Sequence, residues 1–431
     1  MHIKKNTAHI VRGMKDILPE QTNLWRFIEK KIIKIISNYN YQEIRFPILE
    51  HSQVFSRAIG NNNIVVKKEM YTFLDRNSCR LALRPEGTAG CVRSAIYNNL
   101  FHNNSIHKLW YIGPMFRYER PQKGRYRQFS QIGLEIFGSD HISAEFELIL
   151  LTSRIWKNLN IDQDLILEIN SIGNFQEREN YLKDLKKFIF IYSEKNKIKV
   201  QFDFNSNPSK IINAINLTEE ESLKIPKIFN YIGENSKNQF LNLCKLLKKS
   251  NIPYKINSNL FRGLDYYNDI IFEWMPKILN YSNIAICSGG RYDNLVRQLG
   301  GMHTPALGCA IGLDRLILLV EFKQKKIKKD LEYIDIYVIT ITHDIIIEML
   351  LFVEHLRSSL SYTLKIMTDI SQKNCKKKLK TANKLNAKIA LILGKKEIKA
   401  NNITIKYLNS GIQETVHQSR IINIIKKYLK N

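Results

Sequence analysis

The 431 residues predict an α+β core with an antiparallel sheet, a helical inserted module and a C-terminal α/β domain. Three observations lead there. The run LWYIGPMFRYERPQKGRYRQFSQIGLEIFG, residues 109–138, reads as two strands around a polar turn marked by Pro121 and Gly124. Residues 169–255 are rich in Lys, Asn and Glu, pattern mostly as helices, and hold no constellation with evident chemistry. Beyond the basic, apolar-poor stretch FKQKKIKKD, short β-rich runs alternate with helical patterns, as in a compact α/β domain. The expected boundaries are therefore a core of residues 1–168 and 256–322, the module at 169–255, a linker at 323–333 and the last domain at 334–431.

Composition sets the class. Hydrophobic content of 44% and charged content of 25% belong to an ordinary soluble globular protein. No run approaches the apolar length of a membrane span, and MHIKKNTAHIVRGMKD lacks the apolar centre of a secretory signal, so a cytoplasmic protein is expected. The six cysteines, at 79, 91, 244, 287, 309 and 375, form no CxxC pair and imply neither zinc nor a disulfide framework. A net charge of +26 favours a polyanionic partner, nucleic acid first, although lysine is abundant even in plainly structural helices.

In order, residues 23–39 place Trp25, Ile28, Ile32, Ile35, Ile36 and Tyr39 at helical spacing, and YQEIRFPILE follows as an extended segment held to an edge by Pro47. In RLALRPEGTAGCVRSAIYNN a strand through Leu81 and Leu83 meets Pro85 and then Glu86-Gly87-Thr88. Thr88 is placed to cap the next helix. A carboxylate at such a turn can receive an ammonium group, or can pair with Arg84.

In the hairpin, parity puts Ile132, Leu134 and Ile136 on one face and Arg127, Phe129, Gln131, Gly133, Glu135 and Phe137 on the other. Arg117 and Glu119 share a face on the outgoing strand. Gly133, between Gln131 and Glu135, leaves a notch one side chain wide that suits a small polar ligand. SAEFELILLTSRIWKNL is then a helix, and NSNPSKIINAI and IPKIFNYI read as connections inside the module.

Further on, NLFRGLDYYNDIIFEW sorts Arg262, Leu264 and Tyr266 from Gly263, Asp265 and Tyr267 if it is extended. Gly289-Gly290 and Gly300-Gly301 read as tight turns. TPALGCAIGLDRLILLVEF gives a strand of small residues and a helix from about Leu313 with Arg315 in its first turn. A flat ring can lie on such a strand, and the helix N-terminus and Arg315 add positive charge, which together suit a nucleotide; the segment can equally be pure packing. In the last domain, IDIYVITI, YTLKIMTDI, AKIALILG and NITIKYL are the expected strands, with helices near 345–360, 373–386 and 416–430.

The run FRYERPQKGRYRQFSQIGLEIFG resembles the second signature motif of histidyl-tRNA synthetases, and RGLDYYN resembles a signature that separates them from other class II synthetases. The opening helix and strand resemble the first class II motif, much of the dimer interface in that family, and the Arg315 segment resembles the third. Asp314 stands where close relatives usually carry Glu, and Lys395 where an acidic residue often follows the glycine.

The resemblance implies a class II catalytic core, an inserted module that helps clamp the acceptor arm, and a C-terminal anticodon-binding domain. It implies ATP and Mg²⁺, with L-histidine and tRNA(His) as partners, and a homodimer. Arg117 and Arg262 would carry catalysis. Glu86, Gly87, Thr88, Arg117, Gln131, Glu135, Arg262, Tyr266 and Tyr267 would hold histidine, with Glu135 and Tyr267 serving the two ring nitrogens. Arg117, Glu119, Arg125, Phe129 and Arg315 would bind ATP, with Phe129 and Arg315 sandwiching adenine. Three rivals remain: a histidine-binding regulatory paralogue, a class II synthetase for another amino acid, and a generic basic nucleic-acid-binding protein.

Overall fold

The computed structural model describes residues 8–101, 105–195, 224–278, 284–323, 333–360 and 364–429. NSNPSKIINAI and most of the expected linker lie outside the described residues. The chain divides into two units, Met1–Leu18 with Trp25–Lys323, and Pro19–Leu24 with Gln324–Asn431.

The first unit is built on an eight-stranded sheet in the order β1-β5-β6-β11-β10-β9-β7-β8. Its strands are β1 (Gln42–Glu43), β5 (His107–Phe116), β6 (Gln128–Phe137), β7 (Leu165–Ser171), β8 (Tyr254–Ile256), β9 (Asn268–Pro276), β10 (Cys287–Arg291) and β11 (Ala306–Gly312). All central pairs are antiparallel, and only the outermost strands, β1 on β5 and β8 on β7, pair in parallel. A small sheet, β2-β4-β3, is formed by Leu49–His51, Arg80–Leu83 and Thr72–Leu74.

The hairpin is the longest ladder: β5 and β6 pair residue for residue from His107↔Phe137 to Phe116↔Gln128. The turn beyond them closes through reciprocal Gln122 and Arg125 backbone bonds, with Gly124 at φ +77°. As the alternation requires, Ile132, Leu134 and Ile136 are fully buried, each worth roughly 1.5–3 kcal/mol of apolar transfer. Helix α8 (Leu313–Lys323) packs on β6, and α4 (Ser143–Asn158) on β11. The opening helix α1 (Pro19–Asn38) buries Trp25, Ile28, Ile32, Ile35 and Ile36 of the predicted stripe, while Tyr39 lies past its end and is half-buried.

Arg117 and Glu119 lie beyond the end of β5 and share no strand face, and the structure also departs from expectation at Gly289-Gly290 and before β9. Gly289 and Gly290 lie inside β10 rather than in a turn. A Cβ on Gly289 would sit 2.2 Å from the Gly308 carbonyl oxygen, so glycine there permits close strand approach. Residues 259–267 form a loop, with β9 starting only at Asn268, so strand parity does not sort Arg262 from Tyr267.

The region expected as an inserted module begins and ends in the main sheet, at β7 and β8. Between them lie α5 (Phe175–Lys195) and α6 (Glu234–Lys249). Tyr181, Leu185 and Ile189 of α5 join the core that also holds Phe261, Tyr266 and Tyr267.

The second unit has a five-stranded sheet, β13-β12-β14-β15-β16, made of Ile366–Thr368, Ile334–Thr340, Ala387–Leu393, Asn402–Tyr407 and Gln413–His417. The first three are parallel and the last two antiparallel. Its apolar centre includes Ile336, Val338, Val353, Leu391 and Ile425. Within KKKLK, Lys378 is buried with its ammonium on Thr340, while Lys376, Lys377 and Lys380 face solvent. No helix among the described residues is long and apolar enough to cross a membrane.

Buried charge fixes β10 in place. Arg291 donates to Glu145 of α4 at 2.6 Å, to Asp293 at 3.0 Å and to the Ser139 carbonyl at 3.0 Å. Removing one partner of such a pair leaves an uncompensated charge, so Glu145→Ala is expected to cost about 3–5 kcal/mol in urea unfolding. A loss below about 1 kcal/mol would mean that Asp293 suffices alone.

Candidate active site

Glycines shape one end of the site. Tyr111 on β5 stands opposite Gly133 on β6. A Cβ on Gly133 would lie 2.0 Å from the Tyr111 ring, and one on Gly87 would lie 2.1 Å from it. The notch read from the sequence is therefore filled by the protein's own tyrosine. The Tyr111 hydroxyl donates to Glu135 Oε1 at 2.9 Å, and Thr88 Oγ1 donates to the same oxygen at 2.8 Å. Tyr292 donates to Oε2. Gly308 leaves room for this carboxylate, which would otherwise meet a Cβ.

Glu135 is completely buried, and burial pushes its pKa from the usual 4.5 up to about 8, against the pull of the Tyr292, Thr88 and Tyr111 hydroxyls. The group is held largely neutral at pH 7. Glu135 was expected at the ligand surface, but these hydroxyls cover it and it does not line the cavity.

Thr88 is not the helix cap either. With its hydroxyl on Glu135, the first turn of α3 (Thr88–Tyr97) is capped by Glu86, which accepts the Thr88 N–H at 2.7 Å and the Ala89 N–H at 2.8 Å. Arg84 does not pair with Glu86; it donates to the Pro114 and Phe46 carbonyls. Arg117 Nε donates to the Pro85 carbonyl at 2.8 Å, which aims its guanidinium along the same loop.

The loop before β9 brings in Arg262, Tyr266 and Tyr267. Arg262 pairs with Glu273 of β9. Burial opposes its charge, but Glu273, Tyr267 and Tyr266 more than compensate and hold its pKa above the ordinary value. The Tyr266 and Tyr267 rings lie 4.7 Å apart, and the Arg262 guanidinium stands 5.4 Å from the Tyr267 ring. Two buried polar atoms here, Gln131 Oε1 and Arg262 Nε, have no hydrogen-bond partner.

At the other end, Arg315 is oriented by donating to the Gly124 carbonyl and the Ala285 carbonyl, both at 3.0 Å. Burial, with Arg125 and Arg117 nearby, lowers its pKa to about 10 despite Glu119, and it stays charged at neutral pH. Glu119 lies between Arg117 at 3.8 Å and Arg125 at 4.0 Å. Phe129 presents its ring 5.7 Å from the Arg117 guanidinium. Asp314 accepts the Ser130 N–H at 2.7 Å and pairs with Lys15 at 2.8 Å.

A single cavity of about 330 Å³ joins both ends. Its wall includes Glu86, Gly87, Thr88, Gln131, Tyr266 and Tyr267, with Arg262 beside them, and then Arg117, Glu119, Arg125, Phe129 and Arg315.

The model of the histidyl-tRNA synthetase family matches residues 13–316, and an anticodon-binding domain matches residues 335–428. The chain belongs to the histidyl-tRNA synthetase family. It is 31% identical to an apo histidyl-tRNA synthetase of S. aureus, over 97% of this chain and 100% of that one, with a TM-score of 0.78. A histidyl-tRNA synthetase from Nostoc shares the fold at 20% identity and a TM-score of 0.67, covering 98% of this chain and 100% of that one. A Bacillus halodurans protein titled as an ATP phosphoribosyltransferase regulatory subunit/histidyl-tRNA synthetase shares it at 18% and 0.64, over 91% and 99%. These last two speak for the fold alone.

For a member of this family, the sequence reading missed Tyr111, Tyr292 and Glu273. Tyr111 was visible only as an apolar strand residue, and Glu273 follows an apolar run with nothing marking its partner. Gly133, read as room for a ligand, was an available signal for a large ring nearby, and Gly87 was another.

Between pH 4.5 and 8 the unfolded chain ionises Glu135 while the folded one keeps it protonated, so stability falls as pH rises through that window. Glu135→Gln, which cannot ionise, is expected to flatten the pH dependence of Tm over that range. An unchanged slope in the variant would assign it to other groups.

Proposed function

We propose that this cavity activates L-histidine with ATP and passes the histidyl group to the 3′-terminal adenosine of tRNA(His). Family membership makes the chain an ATP-dependent aminoacyl-tRNA ligase. The observation that carries the site assignment is one cavity with Phe129 and Arg315 at one end, tyrosines above Glu135 at the other, and two unpartnered polar atoms on Gln131 and Arg262.

The substrate carboxylate attacks the α-phosphate, forming histidyl-adenylate and breaking the bond to pyrophosphate. Two anions must approach, so the step needs fixed cations more than a base. Arg117 and Arg262 serve there, since a guanidinium matches both carboxylate and phosphate. Glu86, Thr88 and Gln131 take the ammonium group. Adenine lies between Phe129 and Arg315, with Glu119 at its edge and Arg125 toward the γ-phosphate.

Neutral imidazole offers one donor and one acceptor. The Tyr111 and Thr88 hydroxyl oxygens, oriented by Glu135 behind them, accept from one ring nitrogen, and Tyr267 faces the other. Side chains lacking both groups would leave buried polar atoms unsatisfied.

Among the described residues no cluster of three His, Cys, Asp or Glu could hold a metal by itself. Glu119 and Glu273 on the cavity wall are already paired with Arg117, Arg125 and Arg262, so Mg²⁺ would be carried by the nucleotide phosphates. When bound, that ion neutralises the departing pyrophosphate.

The anticodon-binding domain is the second contact for tRNA, and the +26 charge suits it. A homodimer is supported by exposed Ile48, Leu49, Phe73 and Leu74 on and beside the β2-β4-β3 sheet, next to the segment that resembles the first class II motif. All six thiols are free, which suits a reducing cytoplasm.

Amino-acid-dependent pyrophosphate exchange tests the reading, with histidine alone supporting turnover and tRNA charging following. Binding of histidine without exchange would favour a regulatory role. Glu135→Ala is expected to raise the histidine KM about tenfold or more while the ATP KM moves far less. Arg315→Gln should do the reverse, and equal losses in both substrates would undo the division of the cavity.

A further inference from the structure

The loop carrying Arg262, Tyr266 and Tyr267 has no strand ladder, so its backbone is set by other groups. Its carbonyls identify them. Arg178, in the first turn of α5, donates Nη1 to the Tyr267 carbonyl at 2.6 Å and Nη2 to the Asp265 carbonyl at 3.1 Å. Asn63 Nδ2 donates to the Gly263 carbonyl at 2.8 Å and to Asp265 Oδ1 at 3.1 Å. One planar guanidinium thus spans two carbonyls two residues apart, a geometry that a point-like ammonium cannot reproduce.

Arg178 is itself anchored. Its neighbour Glu177 accepts the Gly233 N–H at 2.9 Å, just before α6, and the Asn174 N–H at 3.0 Å, just before α5. A Cβ on Gly173 or Gly233 would collide with that carboxylate, so the chain is glycine where the two helices are tied together. From α6, Ser236 donates to Asp269 Oδ1 at 2.7 Å, at the start of β9. Both helices therefore grip the segment 263–269.

We propose that Arg178 is a positioning residue for the histidine site. It sets the backbone that aims Arg262 and Tyr267, and it makes histidine binding depend on how the α5–α6 pair is seated. This rests on the histidine-activation reading above. The guanidinium reaches the pocket only through backbone carbonyls, so its loss acts on the histidine end and spares the Phe129 and Arg315 end.

The test uses the full chain with Arg178→Met, Arg178→Lys and Glu177→Ala. Pyrophosphate exchange gives KM for each substrate, and hydrogen exchange is followed on peptides covering residues 260–268. Arg178→Met is expected to raise the histidine KM about tenfold, leave the ATP KM within about twofold, and speed loop exchange. Arg178→Lys should fall between it and the wild type. Glu177→Ala, which touches no loop atom, should shift the histidine KM in the same direction by less. A parallel rise in both KM values, or loop exchange as slow as in the wild type, overturns the proposal. Should the wild type show no histidine-dependent exchange, the functional reading fails, while the hydrogen-exchange arm still decides whether Arg178 holds the loop.

Discussion

A carboxylic acid sealed inside the main sheet governs one end of the cavity. Glu135 is buried without a cation, so its environment can only be tolerated through hydroxyl donors and a displaced ionisation. Satisfying it draws Tyr111, Thr88 and Tyr292 inward from three separate segments. Gly87, Gly133 and Gly308 are the space those groups need. The local backbone follows from one buried acid.

The two ends of the cavity use opposite electrostatic strategies. Around Arg315, guanidinium groups crowd one another and are kept apart by backbone carbonyls and Glu119, which stores attraction for a polyanion. Around Glu135 the carboxyl and the three hydroxyls satisfy one another and are mostly uncharged. Arg262 stands between these regimes, neutralised by Glu273 yet with one nitrogen unpartnered. A substrate with a negative end and a neutral polar ring matches that arrangement.

Much of the architecture was legible because alternation and helical spacing are local properties. The β5–β6 hairpin, the buried stripe of α1 and the small-residue strand before Arg315 all follow from neighbours in sequence. What stayed hidden depends on partners far along the chain. Thr88 looked like a helix cap because its competitor, Glu135, sits on another strand. Gly289-Gly290 looked like a turn because nothing local shows that Gly308 presses against it. Whether the RGLDYYN segment is extended stayed open because the residues that fold it, Arg178 and Asn63, lie elsewhere in the chain.

Asp314 meets Lys15, whose ammonium also lies 4.3 Å from the Tyr126 ring. The acid on the third motif and the base near the start of the chain thus form a compensated pair. Removing either one in isolation would leave the other without its ion-pair partner. A fusion partner or cleavage scar that disturbs the leading segment would reach the Arg315 end of the cavity through that single counter-ion.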